Sequence, residues 1–393
     1  MLPVLLMREY EYILAGGGMA GLSLAYHLVH SPLRDRSILI IDLEEKRNND
    51  RTWCFWSTTP TPYHSIVHKR WNHFRIYGEE YEERIPLDPY DYRMIRGADF
   101  YEFVTEALQK EPNVKFLRAQ VNELREVGKR VEVDTTAGTY TGSWVFDSLF
   151  LPREFRVDES KHHFLKQHFV GWFVRTKEPI FDSDSATWFD FRVPQEGEMR
   201  FMYLLPTSET EALVEFTLFS YEFLKREEYE RAIRDYMEHH LGLREGDYEI
   251  SEEEDGIIPM TDAPFERRGG NRIMRIGTKG GMVKASTGFT FYRTQRDCRN
   301  IVMSLVERET PFHGKEPSKA YRTMDSMLLQ IMYRNGELSK PIFTQLFAKN
   351  PIHRILRFLD EEATGKELLQ IMVSVPWWPF IRAWLRLKIL RKV

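Results

Sequence analysis

The 393-residue sequence predicts an α/β fold in which a parallel-sheet domain is interrupted by antiparallel strands and followed by a helical portion. Three observations favour this class. A strand, a glycine-rich turn, a helix and a second strand follow one another at residues 10–42, and such units build parallel sheets. Alternating aromatic and charged residues at 60–92, and a meander of strands at 167–219, are typical of antiparallel sheets. From about residue 290 the apolar spacing is helical.

The composition sets limits on the function. Hydrophobic residues make up 42% of the chain, which is enough for a sizeable core and excludes disorder as the main state. The net charge of −4 excludes general nucleic-acid binding, which depends on a cationic surface. The two cysteines, Cys54 and Cys298, predict neither a disulfide framework nor a cysteine-rich zinc site, and they favour a reducing compartment. No H-E-x-x-H motif occurs, so no metal site is predicted.

Apolar runs in the sequence are short. None reaches the roughly 18 residues that a membrane-spanning helix needs. The opening MLPVLLM has no preceding basic stretch and no small-residue cleavage site after it, so it does not resemble a secretory signal. We therefore expect a cytoplasmic protein whose membrane contact, if any, is at the surface.

The elements follow in a consistent order. Strands are expected at 10–16 and 37–42, with a helix at 19–30 between them, and an amphipathic helix at 98–110. Residues 115–149 read as a set of strands with turns at two glycines.

The second half is predicted in the same way. We expect a charged helix near 221–240 and a solvated acidic loop at 251–256, SEEEDG. The glycine-rich run at 277–288 returns the chain to a strand, a turn and a helix. The resulting domain assignment is a discontinuous nucleotide-binding domain, an antiparallel-sheet substrate domain and a helical C-terminal portion. The nucleotide-binding domain comprises residues 8–60, 93–150 and 270–325. The substrate domain comprises 61–92 and 151–269, and the helical C-terminal portion comprises 326–393.

A glycine fingerprint marks the first turn. The segment Gly16-Gly17-Gly18-Met19-Ala20-Gly21 fits G-x-G-x-x-G, which allows a tight turn and close approach of a pyrophosphate to the amino end of a helix. Asp42 ends the next strand 21 positions after Gly21, close to the spacing of about 20 for an acid that binds a ribose hydroxyl. The alternative is a structural turn, but the strand–turn–helix context favours dinucleotide binding.

FAD is favoured over NAD as the dinucleotide. The first unit begins almost at the N-terminus, and a second glycine-rich turn lies far downstream, as in hydroxylase-type flavoproteins, whose late turn faces the flavin ring. The predicted domain is thus a Rossmann-like FAD-binding domain. In the late turn the expected cofactor contacts are Gly277, Gly281, Met282, Thr287 and Gly288.

Three charged residues are further candidates for cofactor binding. Asp147 ends the strand SWVFD and resembles the acid that these flavoproteins place beside the cofactor, although an ordinary turn residue is the alternative. Arg51 and Arg96 are candidates for binding phosphate or flavin, because guanidinium groups bind oxyanions bidentately. A surface position is the alternative for each arginine.

With these residues identified, the chain resembles the flavoprotein lycopene β-cyclases from about residue 10 to residue 370. The segments that carry the resemblance follow the glycine fingerprint in order along the chain. They are Asp50–Trp56 (DRTWCFW), Phe201–Thr217 (FMYLLPTSETEALVEFT), Gly256–Met260 (GIIPM) and Gly281–Phe289 (GMVKASTGF).

The chain departs from the family at two places. Lys284-Ala285 stands where the family often has His-Pro. Gly277-Thr278-Lys279 lacks the aspartate that generic hydroxylases carry before the late turn, which favours a cyclase over a hydroxylase.

The resemblance implies a non-redox isomerisation of lycopene end groups to β-rings, giving γ-carotene or β-carotene. It aligns Glu215 with the family's essential glutamate, whose expected role is to protonate a terminal double bond. It also implies reduced FAD, with NAD(P)H as reductant, supplying negative charge or a transient proton relay. Apolar neighbours would keep such a carboxyl protonated by raising its pKa. By pattern alone, a solvent-facing strand glutamate is the alternative.

A carbocation needs stabilisation without water, and aromatic faces suit that task. Most of the candidate aromatic residues could equally be core packing. They are Trp53, Phe55, Trp56, Trp172, Trp188, Phe189, Phe191 and Tyr203.

The C-terminal segment Val375–Val393 predicts contact with an anionic membrane surface. It carries three tryptophans, five basic residues and no acid, as interfacial amphipathic helices do. The alternative is a helix that packs on the protein's own core.

Two other functions remain open from the sequence. A redox flavoenzyme acting on an isoprenoid would consume NAD(P)H in proportion to product. A lipid escort on the same fold would need neither flavin nor Glu215.

Overall fold

The computed structural model describes residues 8–78, 80–150, 155–314 and 318–390. The strands are β1 (Glu9–Ala15), β2 (Ile38–Asp42), β3 (Thr52–Ser57), β4 (Lys69–Trp71), β5 (His73–Tyr77), β6 (Glu82–Pro86), β7 (Asp91–Arg96), β8 (Val114–Arg118), β9 (Val121–Val127), β10 (Arg130–Thr135), β11 (Gly138–Asp147), β12 (Phe164–Thr176), β13 (Ser185–Asp190), β14 (Met199–Pro206), β15 (Glu211–Ser220), β16 (Tyr248–Thr261) and β17 (Ile273–Arg275). The helices are α1 (Met19–Val29), α2 (Gly97–Gln109), α3 (Arg226–Leu241), α4 (Phe291–Arg308), α5 (Lys319–Arg334), α6 (Ser339–Lys349), α7 (Ile352–Leu359), α8 (Gly365–Ser374) and α9 (Trp377–Leu385).

The first sheet is parallel at its centre. Its order is β8-β2-β1-β11-β10-β9, with β17 beside the carboxyl half of β11. All neighbouring strands are parallel except at β10, which runs antiparallel to both β11 and β9. The predicted β1-α1-β2 unit is confirmed. Helices α1, α2 and α4 pack against one another on one face, because their apolar stripes need a common cover. The carboxyl ends of β1, β2, β11 and β17 therefore meet at one edge.

The second sheet has the order β16-β12-β15-β14-β13-β5-β6 and is antiparallel except between β13 and β5. Period-two alternation divides its side chains between two apolar clusters. Helix α3 covers one face of this sheet. The other face packs against the three-stranded sheet β3-β7-β4 and the C-terminal helices. We call this second side the aromatic face.

The acidic segment at 251–256 is a strand and not the predicted solvated loop. It lies inside β16, which pairs with β12 from Phe164 to Thr176. Alternation exposes Glu253 and Asp255 and buries Glu254 on the aromatic face. Backbone pairing to a central strand therefore outweighs the poor strand propensity of acidic residues.

The C-terminal helices end in a π-helical turn at Arg386–Leu390. Helix α9 packs on α5 through Ala383, with Phe380 and Leu387 at the edge of that contact. Within the described ranges, none of the helices is long and apolar enough to span a membrane. Arg391 and Lys392, two of the five predicted basic residues of the tail, and the opening MLPVLLM lie outside the described residues.

Candidate active site

The turn between β1 and α1 has the steric requirements of a pyrophosphate-binding loop. Gly16 has a φ of +107°, which favours glycine. A Cβ on Gly21 would lie 2.0 Å from the Gly16 carbonyl oxygen, so only glycine allows this strand-to-helix approach. A Cβ on Gly18 would meet nothing within 4 Å. The open side of this turn, with the amino end of α1 directly after it, can therefore receive a phosphate. Met19 and Ala20 form the first turn of that helix.

Asp42 lies beside this turn at the end of β2. Its Oδ2 accepts a hydrogen bond of 2.6 Å from the Gly17 amide. Both residues line a cavity of about 640 Å³ together with Tyr101, Glu102 and Arg118. A cavity of this size bounded by an acid at the sheet edge suits a nucleoside.

The late glycine-rich turn returns to the same edge. Gly277 and Gly281 have φ of +59° and +77°, and a Cβ on Gly277 would lie 2.7 Å from the Cβ of Ala20. Asp147 ends β11 there, and its Oδ2 lies 2.6 Å from the Lys279 Nζ. The two glycine-rich turns are therefore in contact, as the sequence predicts for two segments that share a cofactor.

The far end of the late turn reaches the second sheet. A Cβ on Gly288 would lie 2.1 Å from Oε1 of Gln167 on β12, so glycine is required there too. The Thr287 Oγ1 and the Gln167 Oε1 are buried and have no hydrogen-bond partner among the described residues. Met282 follows Gly281 in the chain, and its carbonyl oxygen accepts a hydrogen bond of 3.3 Å from the Arg293 Nε. Unpartnered polar atoms between the two sheets are what a bound polar ring system would satisfy.

The two candidate arginines lie where β3 and β7 approach β16. Arg96 lies at the start of α2, and its Nη2 is 3.6 Å from Glu252 on β16. The Arg96 Nε is buried without a partner in the part of the chain that is described. Arg51 Nη1 donates to the Asp50 carbonyl at 2.5 Å and is otherwise exposed. Arg96 is therefore the better placed of the two to bind a ligand between the sheets.

Glu215 is buried on the aromatic face, so the solvent-facing alternative is wrong. Strand register aligns Tyr203, Glu215, Gly171 and Glu254 across β14, β15, β12 and β16. Glu215 is 8% exposed and Glu254 is 9% exposed. Thr217 donates a hydrogen bond of 2.6 Å to Oε1 of Glu215. Burial raises the pKa of Glu215 well above its usual value, and the neighbouring Glu254 raises it further.

A thiol and two phenol groups also surround this carboxyl, and they are neutral. Burial raises the pKa of the Cys54 thiol and of the Tyr92 and Tyr203 hydroxyls, all of which interact with the carboxyl at Glu215. Cys54 and Tyr92 are hydrogen-bonded to each other. The site therefore combines a buried carboxyl of raised pKa with apolar and neutral polar walls, which is suited to protonating a weak base.

Aromatic side chains line the same side of the sheet. Trp188 packs edge-to-face on Trp56 with ring centroids 5.6 Å apart, and Phe189 stacks with Phe191 at 5.6 Å. Phe189 also lies 6.1 Å from Tyr203, the cross-strand neighbour of Glu215. These residues form a continuous aromatic wall beside the acid.

Three of the predicted lining residues belong elsewhere. Trp172 neighbours Val214 and packs under α3, on the opposite face of the sheet from Glu215. Trp53 and Phe55 point into the core of the first sheet, where both lie against Phe291. Alternation along β12 and β3 explains these errors, because residues one apart in a strand face opposite sides.

The sequence analysis missed two members of the site. Cys54 lies between Trp53 and Phe55 and faces the acid because of the same alternation. The sequence analysis predicts a loop at Glu254. The signal for a strand is the period of two that places Glu254 on the same face as the apolar Ile258 and Met260 further along β16. In the segments that the structure describes, no group of three histidine, cysteine or acidic residues could hold a metal ion.

Comparisons with known proteins identify a family for almost the whole chain. The family model described as "Lycopene cyclase protein" matches residues 11–385. No curated protein matches significantly.

Solved structures share the fold at low identity. A geranylgeranyl bacteriochlorophyll reductase-like protein from Thermoplasma acidophilum is 12% identical, with 96% of this chain and 98% of that one covered and a TM-score of 0.62. The flavin-dependent brominase Bmp2 is 13% identical, with 95% and 97% covered and a TM-score of 0.58. The halogenase PltM is 12% identical, with 93% and 85% covered and a TM-score of 0.57; a variant of it was solved with FAD. The predicted hydroxylase-like flavoprotein fold is confirmed.

Proposed function

This chain belongs to the lycopene cyclase family, and on that premise we propose that it converts the linear ψ end groups of lycopene to β-rings without net redox change. The products would be γ-carotene or β-carotene. The observation that carries the proposal is the burial of Glu215 beside an aromatic wall, which raises the pKa of its carboxyl. A redox reaction on an isoprenoid would not require such an acid.

Glu215 would act as the general acid. An alkene is a very weak base, so the acid must be held close and kept protonated. Burial on the aromatic face supports this role, because it raises the pKa of Glu215. Protonation of the terminal double bond leaves a carbocation that closes a six-membered ring, and a proton then leaves the ring. The rings of Trp188, Phe189 and Tyr203 would stabilise the cation and exclude water.

The residues at the sheet edge fit FAD. The Gly18 turn and Asp42 would hold the adenosine diphosphate half, and the late turn with Asp147 and Arg96 would hold the flavin half. When bound and reduced by NAD(P)H, the flavin would supply negative charge or a transient proton relay without net electron transfer.

We propose that the protein is cytoplasmic and binds the membrane surface, because its proposed substrate, lycopene, is strongly apolar. The exposed fractions of Trp377, Trp378 and Trp384 are 64%, 55% and 45%. Leu369, Met372 and Val373 continue this apolar surface on α8. The basic residues Arg382, Arg386 and Lys388 accompany it. Aromatic and basic groups together favour an anionic membrane interface.

The decisive experiment is anaerobic incubation of the purified protein with lycopene in liposomes, FAD and dithionite, followed by pigment separation. Ring-containing carotenes of unchanged mass would support the cyclase, and the ratio of one-ring to two-ring products would define how many ends react. Hydrogenated or oxygenated products, formed with stoichiometric NAD(P)H consumption, would establish a redox enzyme instead. Unchanged lycopene with reduced flavin bound would contradict the proposed substrate.

Flavin retention tests the cofactor site. Gly18→Val should fold but lose the yellow flavin, because its Cβ meets no protein atom and would occupy the phosphate space. Asp42→Ala should also weaken binding. Gly365→Val is the matched control, since that glycine is equally open but lies on α8. Absorbance after gel filtration measures the bound flavin, and full retention in Gly18→Val would contradict the assignment.

Sedimentation with anionic vesicles tests the membrane surface. Replacing Trp377 and Trp378 with serine should reduce vesicle binding at least tenfold while leaving the folded structure intact, because both rings are exposed. Val127→Ser, at an exposed apolar position on the first sheet, should bind as the wild type does. Equal binding by all three proteins would exclude the tail as the anchor.

A further inference from the structure

A second carboxyl lies directly beside the proposed acid. Glu254 on β16 and Glu215 on β15 are both in register with Gly171 of β12, the strand between them. Residues opposite each other in an antiparallel sheet project to the same face. The two carboxyl groups therefore extend over the same glycine, and they are hydrogen-bonded to each other.

Gly171 makes this approach possible. A Cβ there would lie 2.8 Å from the Leu213 Cδ1, 3.3 Å from the Glu215 Cβ and 3.4 Å from the Glu215 Cγ. Any larger side chain would occupy the space between the two carboxyl groups. Because β12 has glycine at this position, no side chain fills the space where the two carboxyl groups meet.

Each carboxyl has its own hydroxyl donor. Thr217 donates to Oε1 of Glu215, and Thr52 of β3 donates to Oε2 of Glu254, both at 2.6 Å. Neither carboxyl forms an ion pair with any described residue within 4.0 Å. Two buried carboxylates so close together cannot both ionise without a large electrostatic cost.

We propose that Glu215 and Glu254 hold one shared proton, and that Glu254 is a positioning residue that keeps this proton on Glu215 until an alkene accepts it. The inference rests on the proposed cyclase function for its chemistry. The pair starts with one proton and gives it to the terminal double bond. After ring closure the proton lost from the ring returns to the pair, so protons and electrons balance over the cycle.

Other charged groups face this pair from the adjoining elements. Arg51 lowers and Glu252 raises the pKa of Glu254, and their effects oppose each other. Cys54 and Tyr92 approach from the three-stranded sheet and Tyr203 from β14, and burial raises the pKa of each above its usual value. They stay neutral at the pH values where the pair would titrate. A basic limb in the pH profile would therefore report the pair.

The test is the pH dependence of cyclisation by Glu254→Gln. Without the neighbouring carboxylate, Glu215 should lose its proton at lower pH, so the basic limb of the kcat profile should move to lower pH. At pH values between the basic limb of the variant and that of the wild type, the ratio of variant to wild-type kcat should fall about tenfold per pH unit. KM should change little. Glu253→Gln is the matched control, because that neighbour points outward and pairs with Arg226.

A merely structural role for Glu254 predicts a different result. Losing the Thr52 contact would lower activity by the same factor at every pH, and this outcome would overturn the inference. Gly171→Ala provides a second variant that keeps both carboxyl groups. It should separate them and shift the basic limb in the same direction, and an unchanged limb with activity retained would also contradict the shared proton.

Infrared titration of the protonated carboxyl band needs no substrate and separates the two proposals. A band that titrates at lower pH in Glu254→Gln, and is absent in Glu215→Gln, would support the pair even if lycopene proved not to be the substrate. A band unaffected by Glu254→Gln would overturn the pair even if the wild type cyclises lycopene.

Discussion

Two buried clusters of acidic residues in this protein have opposite electrostatics. At the candidate active site, Glu215 and Glu254 face each other, and neither forms an ion pair within 4.0 Å with a described residue. Near the late glycine-rich turn, Lys284 is 2% exposed, and its Nζ lies 2.7 Å from Asp325 and 3.0 Å from Glu361. Arg293 also contacts Glu361 at 2.8 Å.

The difference shows that the neighbour, and not burial alone, decides whether a buried acid is charged. Burial by itself raises the pKa of Glu361, but Lys284 and Arg293 lower it below its usual value. At Glu215 burial and the second carboxyl act in the same direction, and the pKa rises. The first cluster stores a proton, and the second provides an ion network that ties the late turn to α5. Lys284, which departs from the family pattern, thus has a structural role.

The largest expected effect is at the proton-storing cluster. Glu215→Gln keeps the size and hydrogen-bonding capacity of the side chain but removes the transferable proton. Cyclisation should fall by about 10²–10⁴-fold, while fold and flavin content remain as in the wild type. Pigment separation after a timed incubation measures the loss.

Glu211→Gln is the matched control, since it makes the same change on the same strand at a position half exposed to solvent. It should retain activity. Comparable turnover by Glu215→Gln and Glu211→Gln would remove Glu215 from the role of acid and make the two clusters functionally alike.

The ion cluster should instead respond in stability. Lys284→Met leaves Asp325 and Glu361 buried without their main cation, so the free energy of unfolding should drop by about 3–5 kcal/mol. Denaturant unfolding measures it. Lys161→Met, which breaks an exposed pair with Asp158, should leave the free energy of unfolding almost unchanged, because solvent screens that pair. A similar small loss in both variants would show that burial adds nothing to the ion pair.

Asp360 is an intermediate case, and a change there should alter how stability varies with pH. It is buried and accepts a hydrogen bond of 2.6 Å from the neutral Trp56 indole. Burial raises its pKa to about 7 from its ordinary 3.8. The folded protein therefore binds a proton that the unfolded chain releases, and this contribution to stability is complete below pH 4 and is lost as the pH rises through 7.

Asp360→Asn should flatten the pH dependence of stability in that window. The wild-type slope should exceed the variant slope by up to about 1.4 kcal/mol per pH unit. Urea unfolding at several values between pH 4 and 8 compares the two slopes. Parallel slopes would mean that Asp360 is charged in the folded protein, like the acids of the ion cluster.

Parts of the site were predictable because they depend on local rules. The first glycine turn, α1 and Asp42 follow from a steric pattern within 27 contiguous residues, Gly16–Asp42. Period two along β15 places Glu215 on the face opposite Val214 and Phe216, which is where the structure has it. The same rule applied to β3 predicts Cys54, and not Trp53 or Phe55, as a residue that faces Glu215.

The sequence by itself determined the order of elements, the dinucleotide turn and the family resemblance, because each depends on spacing along the chain. Only the tertiary structure decided that Glu254 meets Glu215 over Gly171, since these residues are brought together by the register of three strands distant in sequence. It also decided which acids receive a cation. The charge of a buried carboxyl depends on its neighbours in space, and those neighbours come from strands and helices far apart in the chain.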